Sequence, residues 1–252
     1  VIILETERLY KRFGGLVAVN NFCLSVEQQK ITAIIGPNGA GKTTVFNLLT
    51  GFLRPSGGEI WFGKRLLNGL DPFRIAQMKI ARTFQMIRIF PRLTVLDNVM
   101  LGCRNSKGEN VLGALLRTRG VRQEEKESRE KAISLLEVVG LSQYKDQYAI
   151  NLGYGQQKLV EIARALATDP ELLLLDEPMA GLSSDMSNVM MDLIRKLKSN
   201  GKTVLFIEHN MQVVMDISDW IFVLSYGQEI ARGTPAEVQK NDRVIEAYLG
   251  TG

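Results

Sequence analysis

One eight-residue segment, Gly36-Pro37-Asn38-Gly39-Ala40-Gly41-Lys42-Thr43, limits the possible folds of this chain more than any bulk property does. It directly follows Ile31-Thr32-Ala33-Ile34-Ile35, an apolar run ending in glycine, as a strand buried on both faces of a parallel sheet does. A helix is expected next, over residues 41–50, with Gly51 as its stop. Glycines at these spacings let the backbone curl until successive N–H groups point at anionic oxygens, and the helix start adds its partial positive charge. The pattern is that of a phosphate cradle. Gly36, Asn38, Gly39, Ala40, Gly41, Lys42, Thr43 and Thr44 are therefore the candidate nucleotide contacts. Lys42 is suited to neutralise the β- and γ-phosphates of ATP, and the Thr43 hydroxyl to ligate Mg²⁺.

Such a cradle needs a second acid on the metal side, at the end of a neighbouring buried strand. Leu172-Leu173-Leu174-Leu175-Asp176 supplies it, and Asp176 is expected to hold Mg²⁺. Glu177 follows, where a carboxylate can point at the water that attacks the γ-phosphate. An apolar run ending in Asp-Glu means little alone and takes its meaning from the glycine-rich loop.

The remaining text falls into three parts. Residues 1–85 are β-rich, with strands expected over 1–4, 16–26 and 59–62 and turns at Gly14-Gly15 and Gly57-Gly58. From 86 to 168 the spacing turns helical. Ala132, Leu135, Leu136 and Val139 follow the i, i+3, i+4, i+7 rule with Gly140 as the stop, and Leu159, Ile162, Ala163 and Leu166 repeat it. Strands over 172–175 and 203–207 flank a helix over 187–198 and form a βαβ unit. A hairpin is expected to join 220–224 to 229–231 across Tyr226-Gly227. The expected fold is α/β: a P-loop core with a mostly parallel sheet, an N-terminal antiparallel β subdomain and an inserted helical subdomain. Residues 1–252 form one domain, with 1–85 and 169–252 as the core and 86–168 as the helical insertion.

With 45% hydrophobic and 23% charged residues, the chain is neither disordered nor fibrous. Its net charge is +4, with Lys and Arg scattered, and the densest run, 122–131, alternates in sign like a solvated helix face. No nucleic-acid partner is expected. Cys23 and Cys103 lie in unrelated segments and are expected to be buried thiols, neither disulfide-bonded nor metal-bound. No signal-peptide pattern precedes the loop, and no apolar stretch approaches the about 20 residues needed to cross a bilayer. The expectation is a soluble protein that can still dock on a membrane protein.

With these motifs in this order, the chain resembles the ATP-binding subunits of ABC transporters over essentially its whole length. The resemblance implies that Phe13, in Lys11-Arg12-Phe13-Gly14, stacks on adenine; a core phenylalanine is the alternative. Gln85, in Arg82-Thr83-Phe84-Gln85, resembles the glutamine that reaches Mg²⁺ and the lytic water. His209, the only histidine, looks like the residue that contacts the γ-phosphate, although a lone histidine is more often structural. Its place just past the strand over 203–207, at the edge of the sheet where open α/β folds bind ligands, favours the first reading. The family's signature, usually L-S-G-G-Q, corresponds to Leu152-Gly153-Tyr154-Gly155-Gln156. Gly153, Gly155 and Gln156 are read by this resemblance as contacts to a phosphate presented by another subunit, at a helix N-terminus. Gly153 stands where the family has serine, Tyr154 where it has glycine, and Ala180-Gly181-Leu182-Ser183 lacks the aspartate that often ends that loop.

The resemblance also implies partners: a second ABC ATPase subunit, identical or not, bound head to tail; transmembrane permease subunits; and, indirectly, a periplasmic or extracellular solute-binding protein. The expected location is peripheral, at the cytoplasmic face of the inner or plasma membrane. Arg82-Thr83-Phe84-Gln85, the segment 104–129, Tyr154 and the ending Ala247-Tyr248-Leu249-Gly250 look like importers of branched-chain or other hydrophobic amino acids. Related chains serve amides, urea or lipopolysaccharide. ABC ATPases of translation or DNA repair commonly carry two ATPase domains or long coiled-coil inserts, and this chain has one glycine-rich loop and neither. Phe84, Ile87, Ile89 and Phe90 are expected either beside a groove that receives a permease helix or packed in the core of the helical subdomain, and 111–116 either touches the membrane partner or packs as a small helix.

Overall fold

The computed structural model describes residues 1–103 and 119–249; the stretch 111–116 and Gly250 lie outside them. Two compact units emerge, one made of Val1–Gln85, Glu171–Ala180 and Ser187–Gly252, the other of Met86–Pro170 and Gly181–Met186. The strands are β1 (Ile2–Phe13), β2 (Leu16–Phe22), β3 (Ser25–Glu27), β4 (Ile31–Ile35), β5 (Gly57–Phe62), β6 (Arg65–Leu66), β7 (Ile80–Arg82), β8 (Leu172–Asp176), β9 (Thr203–Ile207), β10 (Trp220–Ser225) and β11 (Gln228–Gly233).

The larger unit holds two sheets. One has six strands in the order β11-β10-β4-β9-β8-β7, parallel except for the β10–β11 hairpin. Every residue of β4, β8 and β9 is buried, as their unbroken apolar sequences require. Each Ile or Leu placed there contributes about 1.5–3 kcal/mol of burial. The hairpin turns at Tyr226 and Gly227, both at positive φ (46° and 77°), the twist that a tight two-residue connection demands. The other sheet is antiparallel and centres on β1, which pairs with β2, β3 and β5. Phe22 of this sheet meets Phe222 of the six-stranded one edge to face, with ring centroids 6.0 Å apart.

Three local expectations change. β1 runs to Phe13 instead of ending near Leu4, because Thr6 and Leu9 turn inward while Glu7, Arg8 and Arg12 take the solvent side. The stretch 16–26 holds two strands, β2 ending at Phe22 and β3 beginning at Ser25, with Cys23 and Leu24 between them. Cys23, expected to be buried, is exposed. β1 is irregular around Arg8, whose φ is 46°, and the Arg8 N–H donates to the Cys23 sulfur at 3.3 Å instead of to a strand. Cys103 is half-buried, and burial raises its thiol pKa.

In the smaller unit the helices Val95–Met100, Arg119–Val138 and Tyr154–Ala167 pack together through Leu96, Val99, Ala132, Leu136, Leu159 and Ile162. Gly102 permits a close approach, since a Cβ there would stand 2.1 Å from the Arg164 carbonyl oxygen. Asn98 is fully buried; its side chain accepts from the Phe90 N–H at 2.8 Å and donates to the Phe90 and Thr94 carbonyls at 2.9 Å, fixing the loop before its helix. Residues 122–131 form a largely exposed helical face, as their alternating charges suggest. No helix among the described residues is long and apolar enough to cross a membrane.

Candidate functional site

The glycine-rich loop joins β4 to the helix Lys42–Leu49. Gly41 has a φ of 100°, and a Cβ there would stand 2.4 Å from the Ala18 carbonyl oxygen; at Gly36 it would stand 2.0 Å from that of Leu224. Only glycine fits either position, so the curled loop is fixed by its neighbours before any ligand arrives. Ala40 is buried and its carbonyl accepts from the Gly227 N–H at 3.0 Å, tying the loop to the β10–β11 turn. Asn38, Gly39 and Thr43 are exposed, and Thr44 is half-buried. Lys42 is buried, and its ammonium donates to the Gly36 and Pro37 carbonyls at 2.7 and 3.0 Å. Burial lowers its pKa from the ordinary lysine value, and the nearby Glu177 and Asp176 carboxylates oppose that shift.

β7, β8 and β9 are parallel and adjacent, with Arg82 opposite Leu174 and Asp176 opposite Ile207, so their C-terminal ends converge. Asp176 is buried, and its Oδ2 accepts from the Arg82 guanidinium at 2.8 Å. Glu177 leaves the strand with a φ of 49°, its N–H donating to the Ile207 carbonyl at 3.0 Å. That turn presents its carboxylate to two side chains: Gln85 donates to Oε2 at 2.8 Å, and His209 Nε2 lies 2.6 Å from Oε1. The larger unit thus brings together Lys42, Asp176, Glu177, Gln85 and His209. The His209 side chain is 41% exposed, and its ring contacts the acid expected to act on water.

Phe13 is 45% exposed at the tip of the β1–β2 hairpin, with the Lys11 ammonium 5.0 Å from its ring centroid, which excludes the core alternative. The same hairpin reaches the loop through the Ala18–Gly41 approach. Gly153, Gly155 and Gln156 belong to the smaller unit, at the start of the helix Tyr154–Ala167. Gly153 precedes the helix in extended conformation, and the Gln156 side chain accepts from its N–H at 3.0 Å. Tyr154 is exposed, lying over Gly181, where a Cβ would come within 3.2 Å of the ring. Lys158 covers it at 5.5 Å from the centroid. A Cβ at Gly155 would meet the end of the flexible Met186 side chain at 2.8 Å, so Met186 would have to shift to admit one.

The donors available to a cation here are a threonine hydroxyl, a carboxylate and an amide, all hard oxygen ligands. No group of three or more His, Cys, Asp or Glu side chains able to hold a metal occurs among the described residues. Hard oxygen donors that include one carboxylate fit Mg²⁺, which commonly takes one or two carboxylates together with water and phosphate oxygens.

Three residues outside the expected set adjoin the site. Glu208 accepts from the Met179 N–H at 2.8 Å and the His209 N–H at 3.0 Å, bracing the turns on both sides of the acid. Tyr248 places a buried hydroxyl near the Gly36 backbone; burial pushes its pKa up to about 12, against a smaller opposing effect of that backbone. Arg82, the charge that ends a short strand, pairs with Asp176, the acid expected on the metal side.

Fold and site together define an α/β P-loop nucleotide-binding unit with an inserted helical unit. The chain belongs to the ABC transporter family, as an ATP-binding and ATP-hydrolysing subunit: that family's profile matches residues 19–180. A second profile, of branched-chain amino acid ATP-binding cassette transporters, matches residues 228–252. The chain is 44% identical over 249 residues to the high-affinity branched-chain amino acid transport ATP-binding protein LivG of Salmonella typhimurium, covering 98% of each. It is similar to the crystal structure of MJ1267, an ATP-binding cassette of an ABC transporter in its ADP conformation, with a TM-score of 0.86, 35% identity and all of both chains covered. It is also similar to the dimeric post-hydrolysis structure of the cassette MJ0796 bound to ADP and Pi, with a TM-score of 0.76, 28% identity, and 92% and 99% of the chains covered.

Proposed function

We propose that this chain binds ATP with Mg²⁺ and hydrolyses it as one of two ATPase subunits, peripheral at the cytoplasmic membrane face, that drive a permease importing branched-chain or other hydrophobic amino acids. One observation carries the hydrolytic part: the Glu177 carboxylate stands at the C-terminal edge of the sheet between Gln85 and His209, in the same unit as the glycine-rich loop. Likeness to LivG and the C-terminal profile support the cargo. Likeness to a dimeric cassette supports the pairing of subunits.

Several hydrogen bonds of the site have counterparts that ATP can supply. Lys42 is held by the Gly36 and Pro37 carbonyls, and exchanges these for β- and γ-phosphate oxygens. Its buried ammonium then meets stronger, charged acceptors. His209 exchanges Glu177 for the γ-phosphate, which frees a carboxylate oxygen to take a proton from water. Thr43, Asp176 and Gln85 would hold Mg²⁺, which when bound would supply positive charge to the β- and γ-phosphates. Phe13 stacks on adenine. Backbone amides around Gly153 and Gly155, from a second subunit, complete the stabilisation of the transferring phosphoryl group.

The transport reading is tested by purifying the chain with its permease in lipid vesicles and following leucine uptake against ATP use. Leucine-stimulated ATP turnover, given a leucine-binding solute receptor, is the expected result. Turnover blind to every hydrophobic amino acid, but stimulated by an amide or urea, would transfer the chain to another cargo.

A further inference from the structure

We propose that Arg82 is the positioning residue of the metal-side acid, fixing the Asp176 carboxylate so that it can serve Mg²⁺. The inference deepens the functional reading above and rests on its assignment of Asp176. The Arg82–Asp176 pair, at 2.8 Å, is among the least exposed ion pairs among the described residues, with side chains 6% and 3% accessible. The Asp176 side chain is only 3% accessible, so the protein supplies the groups that orient its carboxylate. Arg82 reaches it from β7, where it is opposite Leu174, two residues before the acid.

The guanidinium is itself fixed from several directions. Its Nη1 donates to Asn47 Oδ1 at 2.8 Å and to Thr50 Oγ1 at 3.0 Å, both at the far end of the helix that follows the glycine-rich loop. Its Nη2 donates to Asp176 Oδ2. The rings of Phe84, Phe46 and Phe52 surround its charge, with centroids 4.9, 5.5 and 5.8 Å away. A planar, forked donor caged in this way can set the orientation of a carboxylate plane; a lysine at the same place would be a point charge able to reach fewer acceptors. Arg82 therefore ties the helix of the phosphate cradle to the strand of the metal-side acid, three residues before Gln85 in sequence. Partners in the second coordination sphere of metal sites commonly matter through this kind of orientation.

The experiment is a Mg²⁺ titration of fluorescent ATP-analogue binding to the full chain, repeated without Mg²⁺ in EDTA. Arg82→Lys should raise the Mg²⁺ midpoint by about tenfold, the lower end of the effect such partners have on metal affinity. Asn47→Ala, which removes one of the groups that hold the guanidinium, should move it the same way by a smaller factor and keeps the test alive if Arg82→Lys does not fold. Binding in EDTA should stay at the wild-type level, a separation that general loosening of the fold would not give. Asp176→Asn serves as the reference, and Arg82→Lys on that background should add nothing further. Wild-type midpoints in Arg82→Lys and Asn47→Ala, with Asp176→Asn shifted, would overturn the role of Arg82 alone. An unshifted Asp176→Asn would overturn the reading of Asp176 and this inference with it.

Discussion

At the end of β8, Asp176 and Glu177 are buried and held by Arg82, Gln85 and His209, while at the start of the helix Tyr154–Ala167, Gly153 and Tyr154 are exposed to solvent. The first region is made of side chains converging from three adjacent parallel strands, each with a defined partner. The second offers backbone amides at a helix entrance, with only the Gln156 side chain turned back on Gly153. A side-chain network fails when one member changes, because the partner left behind is buried and unsatisfied. A backbone surface tolerates change at the same position so long as its conformation persists. Serine replaced by glycine in the signature is therefore a milder departure than the same loss would be beside Glu177.

Several substitutions can break or sharpen this contrast. The largest effect is expected from Glu177→Gln, which keeps the shape and removes the proton acceptor; ATP turnover in the reconstituted transporter should fall by about 10²–10⁴-fold. Arg82→Met leaves the Asp176 charge buried and unpaired, and chemical denaturation should register a loss of about 3–5 kcal/mol. Lys42→Ala removes charge-assisted hydrogen bonds to phosphate, and equilibrium binding should report ATP affinity weakened by about 10–100-fold. The smallest effect belongs to Gly153→Ser. Gly153 has φ −63° and ψ 156°, open to any residue, and a Cβ would meet only the Gln156 side chain at 3.7 Å. The new hydroxyl should tighten ATP at the partner subunit's cradle by at most about tenfold, read by site-resolved nucleotide trapping, since it can also cap its own helix. A Gly153→Ser effect matching that of Lys42→Ala would erase the distinction between the two regions.

What was legible in the sequence follows the same division. Unbroken apolar runs ending in functional residues identify β4, β8 and β9, because strands buried on both faces have no alternation to misread. The glycine-rich loop is legible because its backbone permits little else. β1 was cut short because its exposed charges interrupt the apolar text after Leu4. Cys23 was misplaced because its exposure depends on an irregularity at Arg8, for which the sequence has no marker. Arg82 and Glu208 act on partners 94 and 29 positions away, through strand register that composition cannot express.

The most direct test of the hydrolytic site and its dependence on a second subunit is the molar mass of the Glu177→Gln chain by light scattering, with and without ATP and Mg²⁺. With hydrolysis blocked and binding intact, ATP should convert monomer to dimer, and Lys42→Ala in the same chain should raise the ATP concentration needed by about 10–100-fold. A protein that binds ATP to saturation yet stays monomeric, or that turns ATP over at the wild-type rate, would contradict the assignment of Glu177 and of the signature as the second half of the site.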